Sequence, residues 1–506
     1  MSDGNLLTVY LALPPPIYER GYHVLYVTIH WLNDDILLDI FNCYRLDEKN
    51  GWNVRLGWCK LSHVCQRWRH LIYESAFHLG MHIQCTHDTP IVDTLDHLPP
   101  LPLFVDYSCT SGPVLTEQDE LGIHHALRLH DRVRHIFLDI PPSILQKCLV
   151  LMDQCFPILE HLTLWFGADK FPTVTLPKAF LAPNLRHLTL PGICPPKRLR
   201  FLNSTASLVT LVLWKIQASS YFRPTLLVAR LLSLPQLEEL SIGFSIPIPR
   251  PSTERELLGE QGTPVMLPNL KTLRFRGVNA YLESLFAQIR APHLERLDIT
   301  LFNQIAFALP HLSHLINITE GFKLLAARVY FHRNEVFITA ANTTSRRIEE
   351  PFFLCVMCEQ LDWQIDCAAQ ICDALIPALS GVERFTLDFY DETLPTEWQD
   401  GEIDGTTWPE LLRPFIRVKE LYVLNGLLEE LSRGLQIYEV GLDPGFLPGL
   451  QYIFAADNQF ASFIDTRRVA GRPVQFSNLP PPPPAIFRRP PSIPPLLLPK
   501  RPPLLE

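Results

Sequence analysis

Residues 155–165 read CFPILEHLTLW and contain the pattern that decides the fold. Leu159, Leu162 and Leu164 follow the form L-x-x-L-x-L, in which apolar and polar residues alternate toward the end. Such alternation is typical of a β-strand with one buried face. Pro157 marks the end of the preceding connection, because proline cannot continue a helix. The stretch therefore predicts a short strand that begins just after this proline.

The same pattern recurs along the chain. Nine copies begin at Val133, Leu159, Leu185, Leu208, Leu237, Leu270, Leu294, Val382 and Val418, and a weaker copy begins at Leu450. The first seven starts are separated by 26, 26, 23, 29, 33 and 24 residues, which is room for a strand and a return helix or coil. A single unit of this kind cannot bury its apolar face, so the copies are expected to stack on a shared core.

The copies resemble leucine-rich repeats of irregular length, and this resemblance implies an α/β solenoid. The Asn or Cys that usually occupies the turn of such a repeat is mostly missing, and an ordinary α/β domain with leucine-rich strands is the alternative. Residues 303–360 fit the repeat poorly. Their segments RVYFHRN and EVFITAA predict either a hairpin or one diverged repeat.

Two short amphipathic helices are predicted near the N-terminus. Residues 29–45, IHWLNDDILLDIFNCYR, place Asn33 as a candidate N-cap before two aspartates of the first turn. Residues 61–71, LSHVCQRWRHL, carry an apolar stripe with spacings of three and four. Helices this short cannot form a well-buried core alone, so they need either the rest of the chain or a partner.

These two segments resemble an F-box. The matching residues of the first segment are Leu32, Asp35, Leu37, Leu38, Ile40 and Phe41, and those of the second are Leu61, Val64, Cys65, Trp68, Arg69 and Leu71. Asn33 replaces the usual proline, and the linker of about residues 43–60 is long. The long linker and the sequence that follows resemble the F-box-like proteins of mushroom-forming fungi.

The resemblance implies that the F-box-like segment docks onto the Skp-type adaptor of a cullin ubiquitin ligase, while the repeats bind a target protein. The candidate residues for adaptor binding or for the F-box core are Leu32, Asp35, Ile36, Leu37, Ile40, Phe41, Leu61, Val64, Cys65, Trp68 and Leu71. Spacing does not decide which of them contact the adaptor and which fill the interior. A subdomain that caps the solenoid and binds no adaptor is the alternative.

A candidate surface for the target follows from strand alternation. If Leu162 and Leu164 point into the core, the residues between the leucines point to the other face of the sheet. The candidates on that face are His135, His161, His187, Arg274, Arg296, Arg384 and Tyr422. The three histidines recur every 26 residues and would stack about 5 Å apart on parallel strands. Such a column could bind a metal weakly or respond to pH near 6.5, and an ordinary hydrogen-bonded surface is the alternative.

Composition narrows the function. A net charge of −9 over 506 residues argues against nucleic-acid binding. No apolar run reaches the roughly 18–20 residues needed to span a membrane, and the twelve scattered cysteines are typical of reduced thiols in the cytoplasm or nucleus. The spacing of Cys355, Cys358, Cys367 and Cys372 superficially resembles a zinc site, but the surrounding strand and helix patterns favour core packing. We therefore expect no metal and no cofactor.

The expected fold is an irregular leucine-rich-repeat-like α/β solenoid preceded by a small all-α F-box-like domain. The expected segments are a poorly ordered stretch at 1–28, the F-box-like domain at 29–75, the solenoid at 76–465 with an acidic insertion at 390–410, and a proline-rich disordered tail at 466–506.

The expected function is a non-enzymatic one. The motifs G-x-S-x-G, G-x-x-x-x-G-K-[ST], G-x-G-x-x-G and H-E-x-x-H are missing from the sequence, so no catalytic residue is predicted. The expected role is that of a substrate-recognition adaptor in a Skp–cullin–F-box ubiquitin ligase, with an unknown protein as its target. The alternative is a leucine-rich-repeat scaffold that binds proteins and has no link to ubiquitin.

Overall fold

The computed structural model describes most of the chain between residues 29 and 478. The described residues are 29–46, 59–75, 79, 81–87, 95, 100–109, 114–165, 174–196, 199–246, 264–342, 350–358, 361–389, 407–424, 431–432, 434–435 and 447–478. The predicted segment 1–28, most of the acidic insertion, and residues 479–506 of the tail predicted at 466–506 lie outside these residues, whereas residues 466–478 of that tail are described as helix, turn and strand. The chain divides into two compact units, Met1–Met81 and His82–Glu506.

The described part of the first unit consists of short helical segments. A 3₁₀ turn spans Ile29–Trp31, and three helices follow as α1 (Asp34–Leu46), α2 (Cys59–Ser62) and α3 (Gln66–Glu74). Asn33 caps α1 as predicted, since its Oδ1 accepts the Ile36 N–H at 2.9 Å. Cys65 caps α3, with its Sγ accepting the Trp68 N–H at 3.4 Å.

The prediction of an all-α N-terminal domain is wrong. Few of the described residues of this unit are buried, namely Leu37, Phe41, Ser62, Trp68, Leu71, Ile72, Leu79 and Met81. Helices α1 and α3 are in contact through an edge-to-face pair of Phe41 and Trp68, whose ring centroids are 4.8 Å apart. So small an apolar core does not sustain an independent helical domain.

The second unit is built from twenty described strands and nine helices. The strands are β1 (Ile83–Cys85), β2 (Leu103–Ser108), β3 (Val133–Asp139), β4 (His161–Trp165), β5 (Val174–Thr175), β6 (His187–Pro191), β7 (Ile193–Cys194), β8 (Thr210–Ile216), β9 (Glu239–Phe244), β10 (Val265–Met266), β11 (Thr272–Gly277), β12 (Ile289–Arg290), β13 (Arg296–Phe302), β14 (Ala326–His332), β15 (Glu335–Ala341), β16 (Phe352–Met357), β17 (Arg384–Phe389), β18 (Glu420–Val423), β19 (Tyr452–Ala455) and β20 (Gln475–Asn478). The helices are α4 (Glu117–Arg128), α5 (Pro142–Leu151), α6 (Pro224–Leu231), α7 (Asn279–Phe286), α8 (Pro310–Ile318), α9 (Leu361–Ala374), α10 (Ile376–Leu379), α11 (Thr407–Leu412) and α12 (Ala461–Val469).

Sixteen of these strands form one mixed sheet. Their order is β1-β2-β3-β4-β6-β8-β9-β11-β13-β16-β15-β14-β17-β18-β19-β20, and the pairs β5–β7 and β10–β12 lie outside it. Neighbouring strands are parallel except where β15 pairs with β14 and β16. The sheet therefore contains one antiparallel strand among its described members.

The prediction of a solenoid is also wrong, because the fold is a mixed α/β one with a large, mostly parallel sheet. In a solenoid each repeat contacts only its neighbours in the chain. Here β13 pairs with β16 and β14 pairs with β17, so the strand order departs from the chain order. The departure lies in the segment 303–360 that fitted the repeat poorly. Its RVYFHRN and EVFITAA halves form the antiparallel β14–β15 hairpin, which confirms the hairpin prediction.

The helices of the second unit begin at recognisable signals. Thr116 and Asp119 form a reciprocal capping box at the start of α4. Proline stands in the first turn of α5, α6 and α8, where its missing N–H removes no helical hydrogen bond. The carboxylate of Glu283 on α7 accepts the N–H groups of His311 and Leu312 at 2.7 and 3.0 Å and so caps α8 from a neighbouring helix.

The core lies between one face of the sheet and the helices. Leu162 and Leu164 of β4 are fully buried, whereas His161 and Thr163 between and beside them are half-buried. Helices of neighbouring connections contact one another, as in the pairs α4–α5 and α7–α8, and they also contact the sheet, as α4 contacts β2 and α7 contacts β11. We call the other face, on which His161 and Thr163 lie, the open face.

The four clustered cysteines are buried, and Cys355 belongs to an apolar cluster with Tyr330, Phe337 and Phe353 on the same face of the sheet as Thr300. Cys355 in β16, Cys358 after it, and Cys367 and Cys372 in α9 are buried free thiols. A strand and a helix account for the FFLCVMC and DCAAQICDALIPAL patterns, as the sequence predicts. Buried cysteine acts in such positions as a small apolar side chain.

Replacing Gly243 by alanine should destabilise the sheet. A Cβ on Gly243 would lie 2.6 Å from the ring of Trp214, so the ring or the strand must move. We expect the free energy of unfolding to fall by about 1–3 kcal/mol, measured by urea denaturation. Gly381→Ala is the matched control, because its nearest neighbour would be at an ordinary 3.5 Å. Equal effects of the two changes would contradict the packing assignment.

Candidate interaction surfaces

The F-box-like residues separate into two sets in the structure. Leu37, Phe41, Trp68 and Leu71 are buried, and Leu32, Leu61 and Cys65 are half-buried. Asp35, Ile36, Ile40 and Val64 are exposed. The structure thus distinguishes the F-box-like residues that are buried or half-buried from those that face solvent, which the sequence spacing alone could not do.

An apolar strip bordered by carboxylates lies on the exposed side of α1. Ile36 and Ile40 are 45% and 40% exposed and lie four residues apart, so they are neighbours on one side of the helix. Asp35 and Asp39 beside them are exposed as well. We call these four residues the α1 surface.

Arg67 links α3 to the start of α1, a role that the sequence did not reveal. Its Nη2 donates to Asp34 Oδ1 at 2.7 Å and to the Leu32 carbonyl at 2.6 Å. The partner carboxylate is 60% exposed, so the ion pair itself stabilises the unit by well under 1 kcal/mol. The contact instead orients α3 against the N-terminus of α1.

A column of stacked rings occupies the first strands of the open face. The registers place His135 opposite His161 and His161 opposite His187, as strand alternation predicts. Ring centroids are 5.3 Å apart in the first pair and 4.4 Å in the second. The column ends where His187 Nδ1 lies 3.1 Å from Thr210 Oγ1.

Two further rings extend this column beyond the predicted histidines. Phe104 on β2 lies 5.4 Å from His135, and His82 stacks on Phe104 at 3.8 Å between ring centroids. Neither belongs to a copy of the L-x-x-L-x-L pattern, which is why the sequence did not single them out. The alternating burial of LFVDYS in β2 is the signal that would have placed Phe104 on this face.

The imidazoles of the column are held neutral. Burial lowers the pKa of His135 to about 4 and that of His161 to about 3, with neighbouring histidines acting in the same direction. Burial and the nearby Arg186 also lower the pKa of His187. A proton on one ring would face a second ring at 4.4–5.3 Å, so the stack resists carrying charge.

A charged network follows on the central strands. Arg274 is paired with Glu239 on β9 and with Asp298 on β13, where Nε and Oδ2 are 3.1 Å apart. Arg296 also donates to Asp298, at 2.9 Å. The three strands are thereby joined on the open face by ion pairs that are largely shielded from water.

A third cluster lies on the later strands. Arg384 donates to Glu420 at 2.7 Å and lies over the ring of Tyr422 at 5.4 Å. The Tyr422 hydroxyl donates to the same Glu420 carboxylate at 3.1 Å, and its ring stacks on Phe454 at 4.5 Å. The seven predicted surface residues therefore share one face but belong to three separate clusters, and their role in binding stays a prediction.

Two further properties of the described residues concern metals and membranes. No three of their His, Cys, Asp or Glu side chains are arranged to hold a metal ion. None of their helices is both long and apolar enough to cross a bilayer.

The chain matches no model of a known protein family, and no curated protein matches it. The resemblance to an F-box therefore rests on the matching residues between Leu32 and Leu71 alone.

Acid should destabilise the second unit through the histidine column. The folded pKa values lie below the ordinary value of about 6.5, so the unfolded chain binds more protons below that pH, and stability falls as the pH decreases. Between pH 7 and pH 5 one such histidine contributes at most about 2 kcal/mol of this loss. His161→Gln should reduce the loss, measured by urea denaturation at both pH values.

The exposed His293 provides the matched control, since His293→Gln changes the composition equally outside the column. If His161→Gln and His293→Gln have the same dependence on pH as the wild type, the column does not control acid stability.

Proposed function

We propose that this chain is a substrate-recognition subunit of a Skp–cullin–F-box ubiquitin ligase. The α1 surface and the neighbouring helices dock the Skp-type adaptor, and the open face of the sheet binds a target protein. Ubiquitin transfer is carried out by other subunits. The contribution of this chain is to hold the target close to them, which raises its effective concentration.

The exposed apolar side chains of the first unit carry this proposal. Of twenty large apolar side chains that are exposed in the described chain, five lie between residues 29 and 64, namely Ile29, Trp31, Ile36, Ile40 and Val64. Clustered exposed apolar residues are typical of protein-binding sites. They lie in the same two segments that resemble an F-box, which supports an adaptor as the protein that covers them.

The open face supports the second half of the proposal. It presents stacked rings at one end and arginine, carboxylate and tyrosine groups toward the other. Arginine and tyrosine are enriched among the residues that dominate binding energies at protein interfaces. A face of this composition is suited to an extended protein segment that crosses several strands.

Eleven of the twelve cysteines are free thiols in the structure, which supports a reducing compartment, the cytoplasm or the nucleus, as the place where this chain acts.

The second candidate function is a protein-binding subunit without any link to ubiquitin. It shares the open face as the binding surface, and the half-buried, paired charges of that face favour both candidates equally. Adaptor binding through the first unit separates the two.

Introducing charge into the apolar part of the α1 surface should weaken adaptor binding. We expect the full chain to co-purify with a fungal Skp-type adaptor, and Ile36→Glu with Ile40→Glu to weaken the complex at least tenfold, because two carboxylates would be buried without partners. Binding is measured by calorimetry on the purified proteins. Val150→Glu is the control, since Val150 on α5 is 73% exposed outside the F-box-like segments.

The outcomes separate the two candidate functions. Loss of binding in the Ile36 and Ile40 variant, with binding retained by Val150→Glu, would support the ligase subunit. If the wild-type chain is folded but does not bind the adaptor, the result would support the second candidate function, a protein-binding subunit without a link to ubiquitin.

Reversing one charge at the border of the α1 surface is a less disruptive test of adaptor docking. Asp35 is exposed in the first turn of α1, so Asp35→Lys leaves the buried side chains in place. We expect weaker adaptor binding with an unchanged circular dichroism spectrum. Asp465→Lys, an exposed change on α12, is the control. Unchanged affinity of the Asp35 variant would limit Asp35 to a helix-start role.

A further inference from the structure

Five arginines of the central and later strands lie on the open face, and four of them are neutralised. They are Arg274, Arg276, Arg296, Arg328 and Arg384. Arg274 and Arg296 share Asp298, Arg328 is paired with Asp388, and Arg384 is paired with Glu420. Arg276 differs from these four, because no carboxylate of the described residues is paired with it.

The surroundings of Arg276 hold its guanidinium in place without neutralising it. Its Cζ lies 5.6 Å from the centroid of the Phe302 ring, and its Nη2 lies 3.4 Å from Met357 Sδ. Thioether sulfur is a weak acceptor. The buried Nε has no hydrogen-bond partner. The guanidinium is thus held against apolar side chains, and no carboxylate of the described residues forms an ion pair with it; Glu335 lies opposite Met357 on β15.

The neighbouring strands place small residues opposite this guanidinium, and the Trp214 ring fills the space beside Gly243. Arg276 lies opposite Gly243 on β9 and Thr300 on β13, where the paired Arg274 lies opposite Ser241 and Asp298. Gly243 has no side chain, and the Trp214 ring lies over it. The site therefore combines a cation, small neighbours in register and the apolar side chains of Trp214, Phe302 and Met357.

We propose that Arg276 is the anion-recognition point of the open face and that the target segment places an aspartate or glutamate carboxylate there, flanked by an apolar residue. Charge complementarity selects an acidic peptide, because the guanidinium is the one cation among these five arginines that still needs an anion. The apolar walls select a neighbouring apolar side chain. This inference rests on the proposed role of the open face in target binding.

The test is a selection from a random dodecapeptide display library on the immobilised full chain. We expect peptides selected by the wild type to be enriched at least fivefold in Asp or Glu next to an apolar residue, relative to the unselected library. Arg276→Gln should lose this enrichment, and Arg276→Lys should retain part of it because the charge is kept. Arg384→Gln, which removes the same charge from a neutralised pair on the same face, should retain it.

Two results would overturn the proposal. One is a wild-type selection without acidic enrichment, including one in which no peptide exceeds the bare support. The other is acidic enrichment that survives Arg276→Gln while that variant keeps the melting temperature of the wild type. No adaptor takes part in the selection, so either result leaves adaptor docking by the first unit to its own test.

Discussion

Burial of the leucine face beneath the helices is the constraint on which the rest of the second unit depends. Leu162, Leu188 and Leu211 lie opposite one another on adjacent strands and are fully buried. Because strand side chains alternate, this buried row fixes which residues of each strand reach the open face. A slip of one residue would exchange the two faces, so the register is strongly specified. His161 and Arg274 reach the open face because the leucines next to them in the strand, Leu162 and Leu273, are buried on the other face.

Parallel strand pairing places equivalent positions of successive strands side by side. This arrangement determines the electrostatics of the open face. Where successive strands carry histidine, the rings stack and remain neutral, because burial lowers their pKa values. Where they carry arginine, carboxylates from adjacent strands alternate with the guanidinium groups, as Glu239 and Asp298 do around Arg274. The same strand spacing thus produces an uncharged end and an ion-paired centre. The open face therefore consists of two chemically different regions.

Local patterns predicted the strands well and their assembly poorly. The L-x-x-L-x-L copies correspond to strands such as β4, β9 and β17, and the hairpin was recognisable from its two apolar halves. The strand order β13-β16-β15-β14-β17 could not be predicted from the sequence. The segment FFLCVM in β16 is apolar on both faces and does not indicate which strands it pairs with. In the first unit, helical spacing found the apolar residues but not that Ile36 is exposed while Leu37 is buried.

The difference between Arg274 and Arg276 shows why the environment of a side chain on such a sheet cannot be predicted from the sequence of its own strand. Both belong to the stretch TLRFRG, alternate in the same strand and point to the same face. Their environments come from residues more than twenty positions away, with Asp298 opposite the first and Gly243 and Thr300 opposite the second. The guanidinium of Arg274 is neutralised by ion pairs within the sheet, whereas no carboxylate of the described residues is paired with Arg276. The proposed role of Arg276 in binding therefore depends on which residues the register places opposite it, and only the pairing of distant strands reveals them.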